Sequence, residues 1–257
     1  MLKTLSKLVG STVTATDGLI GHVTAAFFDD QSWAIRYLVV DTGTWLSRNE
    51  VLISPYSIRQ MSTVERNIDV ALTKEQVKAS PDIDTHKPVS RQHETEFLGY
   101  YAYPEYWAGG GIWGMDSYPM IPPMVTSNDE LATIQAKQRR DKESADVHLR
   151  SSVAITGYNI HATDDSIGHV QDFIFDEQSW VLRYFVVDTR NWLPGGRKVL
   201  VGNHWIKSID WDSSSVHVSL TREEVKTSPE YDESQPVERS YEQRLADVYK
   251  RQGYWDM

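Results

Sequence analysis

The stretch Ile20–Leu46, IGHVTAAFFDDQSWAIRYLVVDTGTWL, occurs a second time in the chain as Ile167–Leu193, IGHVQDFIFDEQSWVLRYFVVDTRNWL. Between Ala15–Leu46 and Ala162–Leu193, 20 of 32 aligned positions are identical at a constant offset of 147 residues. An internal repeat of this kind indicates that one structural unit is used twice. The sequence therefore predicts two copies of one small domain.

Each copy consists of short segments rich in β-branched and aromatic residues, which is the composition of strands. In the first copy the predicted strands are Val13–Ala15, Ile20–Asp29, Trp33–Asp41, Val51–Ile53, Ile58–Met61 and Ile68–Leu72. Six short strands in about 75 residues predict a small closed β-barrel. Gly21 and Gly168 interrupt the second strand of each copy, where glycine usually marks a bulge or a sharp bend. The lead-in from Leu2 has helical rather than strand spacing of its apolar residues.

A short helix is predicted after the last strand of each copy. The sequences Thr73-Lys74-Glu75-Gln76 and Thr221-Arg222-Glu223-Glu224 both fit a capping box. Each helix can run for only a turn or two, because Ser80-Pro81 and Ser228-Pro229 end it. Both copies are thus expected to close with a capped helical turn.

The tails of the two copies are also duplicated, since Tyr106-Trp107 returns as Tyr254-Trp255. Between the copies lies the Gly-, Pro- and aromatic-rich stretch GGGIWGMDSYPMIPPM, typical of a linker, and then a predicted short exposed helix from Asn128 to Lys142. We predict four regions: a first barrel at 1–90, its tail with the linker and short helix at 91–147, a second barrel at 148–237, and a helical C-terminal tail at 238–257.

Composition excludes several classes of protein. The 257 residues include no cysteine, which excludes disulfides, thiolate zinc sites and cysteine nucleophiles. The net charge of −10 disfavours nucleic-acid binding, because an acidic surface repels phosphate. No apolar run is long enough to span a bilayer, and the N-terminus does not resemble a signal peptide. We expect a cytoplasmic protein. Peripheral association with the inner membrane is the alternative.

Specific motifs extend the barrel prediction. The first copy contains Gly10, Val13, Asp17-Gly18, Ile20-Gly21, Phe28-Asp29, Trp33, the run Arg36 to Asp41, and Leu72 to Pro81, and the second copy carries their counterparts. This combination resembles the PRC-barrel family. That family includes the cytoplasmic domain of the photosynthetic reaction-centre H subunit and the C-terminal domain of a ribosome-maturation factor. The resemblance covers about 70 residues of each half and implies a fold class of mostly β structure, two six-stranded PRC-type barrels, rather than a role.

Several polar residues recur in register and are candidates for ligands or proton carriers. His22 and His169 could bind a metal or a small ligand between the barrels, but they lack His-x-His spacing, which favours a structural or surface role. The strand-end residues Asp29, Asp41, Asp176 and Asp188 could relay protons, as the resemblance to the H subunit implies, or bond turn amides, which is commoner. Arg36 and Arg183 are expected to pair with one of these aspartates inside the sheet.

Aromatic residues are the candidates for a binding surface. Trp33 and Trp180 are expected to fill the barrels, whereas Trp45 and Trp192 either cover a barrel end or present a docking surface. The segment from Tyr100 to Trp113 is unusually aromatic, and internal packing is favoured for it over exposure. The candidate interaction surface comprises Trp45, Trp192, Tyr103, Tyr106, Trp107 and Trp113.

No nucleophile elbow, phosphate-binding glycine loop or zinc spacing is present in the sequence, so no enzyme activity, cofactor or metal is predicted. The leading hypothesis is a non-catalytic interaction or assembly module with a protein partner, and a homo-oligomer is one form of it. A peripheral membrane protein that tunes a photosynthetic-type electron-transfer complex is the alternative. A small-ligand or metal binder is the third hypothesis.

Overall fold

A computed structural model describes residues 1–46, 49–81, 89, 91–121 and 148–256 of the chain. The predicted helix from Asn128 to Lys142 lies outside the described residues. Fourteen strands occur in the described part, and they are β1 Leu2–Thr4, β2 Thr12–Ala15, β3 Gly18–Asp29, β4 Ile35–Asp41, β5 Glu50–Ile53, β6 Ile58–Ser62, β7 Asn67–Val70, β8 Leu149–Ser151, β9 Asn159–His161, β10 Ser166–Asp176, β11 Leu182–Asp188, β12 Lys198–Gly202, β13 Ile206–Asp210 and β14 Ser215–Val218.

Helices are few and short. The α-helices are α1 Lys74–Ala79, α2 Arg91–Tyr101, α3 Ser152–Ile155, α4 Arg222–Thr227 and α5 Arg239–Tyr249. Single turns of 3-10 helix occur at Leu5–Lys7, Pro55–Ser57, Asn203–Trp205 and Tyr254–Asp256. The predicted mostly β fold with a helical segment after each barrel is confirmed.

The strands form two barrel-like sheets with the same topology. One sheet follows the order β5-β4-β3-β2-β7-β6 and the other follows β12-β11-β10-β9-β14-β13. Within each sheet β2 and β7, or β9 and β14, pair in parallel, whereas the other pairs are antiparallel. The six strands predicted for each copy are therefore all present. In the described residues the first and last strands of each path are not bonded to each other, so the sheets are barrel-like rather than closed.

Each sheet has a seventh strand, which comes from the segment that precedes the other repeat. Strand β1 pairs with β10, with Lys3 opposite Phe175. Strand β8 pairs with β3, with Arg150 opposite Phe28. Because Lys3 and Arg150 are separated by the repeat offset of 147, the exchange is reciprocal. The helical spacing predicted for the lead-in is wrong for Leu2–Thr4, which is a strand because a partner edge is available to it.

The exchange decides how the chain divides into compact units. The first unit consists of Val9–Ser151 and Gln178–Trp180. The second unit consists of Met1–Leu8, Ser152–Glu177 and Val181–Met257. Each unit thus holds one repeat, together with the strand that precedes the other repeat.

The strand following the Asp-Gln-Ser turn forms the centre of each core. All residues of β4 except Asp41 are buried, and so are all but one of β11. Strands buried on both faces need continuous apolar sequence, which IRYLVV and LRYFVV supply. The arginine in each run is the exception, and its environment is described below.

Gly21 and Gly168 allow a close approach between neighbouring strands. A side chain at Gly21 would place its Cβ 1.9 Å from the carbonyl oxygen of Asp41, and one at Gly168 would lie 2.0 Å from that of Asp188. Such contacts exclude any residue larger than glycine. Gly168 also has φ +126°, which disfavours side chains further. The register shift between Ser166 and Gly168 agrees with the predicted bulge.

Both predicted capping boxes are confirmed. The Thr73 and Thr221 side chains accept bonds from the amides of Gln76 and Glu224, whose side chains bond back to the cap amides. A second acceptor comes from far along the chain, because Asp17 Oδ1 accepts from Lys74 N at 2.8 Å. Asp17 thus adds a second cap to α1, where the helix N-terminus favours a negative charge.

Candidate functional site

A buried arginine lies at the centre of a polar cluster in the first unit. Arg36 is 2% exposed on β4, and its Nη2 donates to Ser32 Oγ at 2.9 Å and to Asp29 Oδ2 at 3.4 Å. Its Nη1 donates to the carbonyl oxygen of Ile112 at 2.7 Å. The guanidinium carbon lies 3.6 Å from the centre of the Tyr106 ring, within cation–π range. Arginine suits this position because its planar fork can bond and stack at once.

The partner carboxylate is held by the turn that it begins. Asp29 Oδ1 accepts from the amides of Gln31 and Ser32 at 2.9 and 3.0 Å. Burial raises the pKa of Asp29, but the Arg36 charge and these two amides together outweigh burial, so the net pKa lies below its ordinary value. The carboxylate is therefore a stable anion inside the fold.

A second buried cluster surrounds Glu94 on α2. Its Oε1 accepts from the hydroxyl of Tyr106 at 2.6 Å and from that of Tyr37 at 3.1 Å. His148 Nε2 lies 3.0 Å from Glu94 Oε2 and 3.1 Å from Tyr106 Oη. All four side chains are at most 3% exposed. Burial, followed by the Glu94 charge, raises the pKa of Tyr37 well above its ordinary value, so Tyr37 acts as a donor.

The second unit contains the equivalent cluster with different outer partners. Tyr184 Oη donates to Glu242 Oε1 at 2.9 Å, as Tyr37 does to Glu94. Arg239 Nη1, and not a histidine, lies 3.1 Å from Glu242 Oε2. Burial raises the pKa of Glu242, and the donors Tyr184, Arg239 and Tyr254 offset only part of that rise. Arg183 lies 3.9 Å from Asp176 and 4.1 Å from the Tyr254 ring centre.

These geometries place equivalent tyrosine–glutamate pairs in the two units, and a comparison with known families finds the same duplication of the sheet. The sequence model of the PRC-barrel domain matches residues 2–77 and 155–224, which is more than half of the chain. The chain belongs to the PRC-barrel family. No curated protein matches the chain.

The loop tryptophans of the two PRC-barrel repeats are tied to their own sheets. Trp45 Nε1 donates to the carbonyl oxygen of Ile20, and Trp192 Nε1 donates to that of Ile167, both at 2.6 Å. Lys74 lies over the Trp45 ring at 4.4 Å, and Arg222 lies over the Trp192 ring at 4.7 Å. Both indoles are half-buried. Of the two alternatives considered from the sequence, this geometry favours a covering role.

The other pair of tryptophans lies in turns, not on strands. Trp33 and Trp180 have φ of 62° and 57°, and each precedes the central strand of its repeat. Trp33 is half-buried and stacks on Phe28 with ring centres 5.7 Å apart. Trp180 is buried, but it belongs to the first unit, where its carbonyl oxygen accepts from Ile35 N. The prediction that Trp180 fills the barrel of its own repeat is wrong, because the turn carries it into the other unit.

The aromatic segment from Tyr100 to Trp113 is largely packed inside the first unit. Tyr106 is 3% exposed and Trp113 is 2% exposed, so neither belongs to an interaction surface, which corrects that assignment. Trp113 Nε1 donates to the carbonyl oxygen of Ser179 at 2.7 Å. Tyr103 and Trp107 are half-buried, and Tyr103 stacks on Tyr101 with ring centres 5.2 Å apart.

The repeated histidines and strand-end aspartates face each other in pairs. His22 is the register partner of Asp41, and His169 is the partner of Asp188. Asp41 Oδ1 accepts from Gly43 N at 2.8 Å, and Asp188 Oδ1 accepts from Arg190 N at 2.9 Å. The bond from the Arg190 side chain lowers the pKa of Asp188. Within the described ranges, no group of three or more His, Cys, Asp or Glu residues is placed to hold a metal ion.

An exposed apolar segment follows the buried Trp113 in the chain. Residues 114–121, the exposed segment, include four large apolar side chains at least 49% exposed, and they are Met115, Tyr118, Met120 and Ile121. No helix among the described residues has both the length and the apolar content to cross a membrane. The glycines and prolines of this stretch predict a linker, and they do not reveal that the buried Trp113 holds it in place.

Proposed function

We propose that this PRC-barrel protein is a non-catalytic interaction module that binds a protein partner through the exposed segment, residues 114–121. The observation that carries the proposal is the exposure of apolar side chains there, led by Met115 at 85% and Ile121 at 52%. Contiguous exposed apolar surface commonly marks a binding site on a soluble domain. Methionine suits such a surface because its flexible thioether adapts to the shape of a partner.

The segment is held in place, which supports a binding role over a loose tether. Trp113 is buried directly before it, and Trp113 N donates to the carbonyl oxygen of Asp116 at 2.9 Å. Gly111 and Gly114 form a further bridge of the same kind. A pre-ordered segment loses less conformational entropy on binding than a free one.

The buried clusters support the non-catalytic part of the proposal. Glu94, His148 and Tyr106 carry acid–base groups, yet all are at most 3% exposed and bond to one another. A general acid or base must lie within hydrogen-bond reach of a substrate. Side chains sealed in this way stabilise the fold.

The partner's chemistry follows from charge. The chain carries a net charge of −10, which disfavours an anionic lipid surface. We therefore commit to a protein with an apolar, neutral or basic face. If the crosslinked partner is a subunit of a membrane-bound electron-transfer complex, the alternative role is supported.

Site-specific photo-crosslinking in cells of the source organism tests the proposal. The crosslinker replaces Tyr118 in the exposed segment or Val64, which is 92% exposed in the same unit and serves as the matched control. We expect one protein adduct with the crosslinker at position 118 and none with it at position 64. The adduct at 118 should disappear when Met115→Ser and Met120→Ser are added. Equal adducts at both positions would overturn the proposal.

Two further readouts identify the occupant. Light scattering gives the molar mass of the purified chain in solution. A lower mass for the Met115→Ser/Met120→Ser variant than for the wild type would identify a second copy of the chain as the occupant. Recovery of the chain with anionic vesicles at physiological salt, lost in the same variant, would replace the protein partner by a membrane. Circular dichroism confirms that the variant keeps its β structure.

A further inference from the structure

Two histidines far apart in sequence meet on the sheet of the second unit. His161 ends β9 and His217 lies in β14, and these parallel strands pair with the two residues in register. Their imidazole rings have centroids 5.3 Å apart and an angle of 23° between their planes. Neither residue belongs to the buried clusters or to the exposed segment, so this feature is independent of the proposed function.

Both imidazoles lie on the outer face of the sheet. Their strand neighbours Ile160, Val216 and Val218 are at most 2% exposed and face the core. Since successive side chains of a strand point to opposite faces, the histidines point away from the core. His217 is exposed and His161 is half-buried, so solutes can reach the pair.

We propose that His161 and His217 form a two-histidine site for a transition-metal dication such as Zn²⁺, Ni²⁺ or Cu²⁺. Neutral imidazole nitrogen is a good ligand for these ions. Each metal–nitrogen bond is about 2.0–2.1 Å, so two donors of one ion lie up to roughly 4 Å apart. With the ring centroids 5.3 Å apart, rotation about the side-chain bonds brings the donor nitrogens towards that spacing.

A neighbouring hydroxyl orients one of the rings. Ser215 Oγ lies 3.4 Å from His217 Nε2, and Ser213 Oγ lies 2.9 Å from Ser215 Oγ. Metal-bound histidines usually bond a polar group through the second ring nitrogen, which fixes the tautomer. A bond between Ser215 and Nε2 leaves Nδ1 of His217 available to the ion.

The first repeat shows that the fold does not require histidine at these positions. The equivalent register pair is Thr14 and Asp69, on β2 and β7. Asn67 links them, because Asn67 Nδ2 donates to Asp69 Oδ1 at 2.8 Å and Thr14 Oγ1 donates to Asn67 Oδ1 at 3.3 Å. The same position in the sheet is thus filled by two residues joined through Asn67 in one repeat and by two metal-type donors in the other.

The number of donors sets the expected strength. Two protein donors leave the remaining coordination positions to water, and no third His, Cys, Asp or Glu completes a site in the described part of the chain. Structural zinc sites use four protein ligands. We therefore expect exchangeable binding, in the order Cu²⁺ above Ni²⁺ and Zn²⁺.

Isothermal titration of the untagged full chain with each metal chloride tests the site. We expect one Cu²⁺, Ni²⁺ or Zn²⁺ per chain, and no heat from Mg²⁺ or Ca²⁺, which require oxygen ligands. His161→Thr, which introduces the first repeat's residue, and His217→Gln should each weaken binding by about ten-fold or more, because one of two donors is lost. His22→Gln, which changes an exposed histidine of the first unit, is the matched control.

NMR of the imidazole groups provides a second readout. Zn²⁺ should shift the ring signals of His161 and His217 together, at the same metal concentration, and leave those of His22 in place. Absence of binding, or binding that survives both His161→Thr and His217→Gln, would overturn the site. Binding lost only in His22→Gln would overturn it as well, since the ion would then belong to the other unit.

Discussion

His148 Nε2 lies 3.0 Å from Glu94 Oε2 in the first unit, where both side chains are at most 2% exposed. His148 precedes the exchanged strand β8, so the strand exchange delivers this imidazole to the glutamate. At the repeat offset the counterpart of His148 is Met1, and Arg239 rather than an imidazole lies 3.1 Å from Glu242 Oε2, the counterpart of Glu94. The two repeats therefore share a backbone but differ in the group that the exchanged segment brings.

Removal of this imidazole should destabilise the protein. His148→Ala leaves Glu94 buried with one donor fewer and opens a cavity, so we expect the free energy of unfolding to fall by about 3 kcal/mol. Urea denaturation followed by fluorescence measures the change. His22→Ala, at an exposed position, should change stability by no more than about 0.5 kcal/mol. Equal effects of the two substitutions would show that the His148–Glu94 contact adds nothing.

The two in-register arginines should differ in their tolerance of lysine. Both guanidinium groups lie over a tyrosine ring, Tyr106 or Tyr254, but Arg36 also bonds through both terminal nitrogens, whereas Arg183 is 17% exposed and 3.9 Å from Asp176. Lysine cannot reproduce a planar fork. We expect Arg36→Lys to cost about 2–3 kcal/mol of unfolding free energy and Arg183→Lys less than about 1 kcal/mol. Thermal and urea unfolding of both variants check this order, and the reverse order would contradict it.

The sequence predicts the repeat, the six strands, the caps and the arginine–aspartate pairs, because each depends on local pattern. Alternation and turn residues act over a few positions, and Arg36 lies only seven residues from Asp29. Long-range arrangements leave no such signal. Leu2–Thr4 has the spacing of a helix, and only the free edge of β10 makes it a strand. The meeting of Glu94 with His148, or of His161 with His217, likewise depends on topology.

The contributions of Asp29 and Glu242 to the free energy of unfolding should depend on pH in opposite directions. The pKa of Asp29 is lowered in the folded state, so its contribution is present above its unfolded pKa of about 3.9 and is lost as the pH falls through the folded value. The pKa of Glu242 is raised, so its contribution is present below its unfolded pKa of about 4.3 and is lost as the pH rises through the folded value.

Two isosteric variants separate these effects. The stability difference between wild type and Asp29→Asn should grow as the pH rises from 3 to 7, whereas that between wild type and Glu242→Gln should shrink, as the signs above require. Urea midpoints at a series of pH values provide the measurement. Parallel curves for the two variants would contradict the opposite shifts.

The reciprocal exchange of β1 and β8 can be tested by breaking each pairing separately. Without the exchange, each of these strands would pair with its own repeat. Proline lacks the amide hydrogen that a strand needs, so Lys3→Pro should break the β1–β10 pairing and Arg150→Pro the β8–β3 pairing. Hydrogen exchange should then speed up around Ile174 in the first variant, and around Phe28 in the second. Each substitution thus loosens the repeat to which it does not belong in sequence. Faster exchange around Phe28 in Lys3→Pro would instead mean that Leu2–Thr4 pairs with its own repeat.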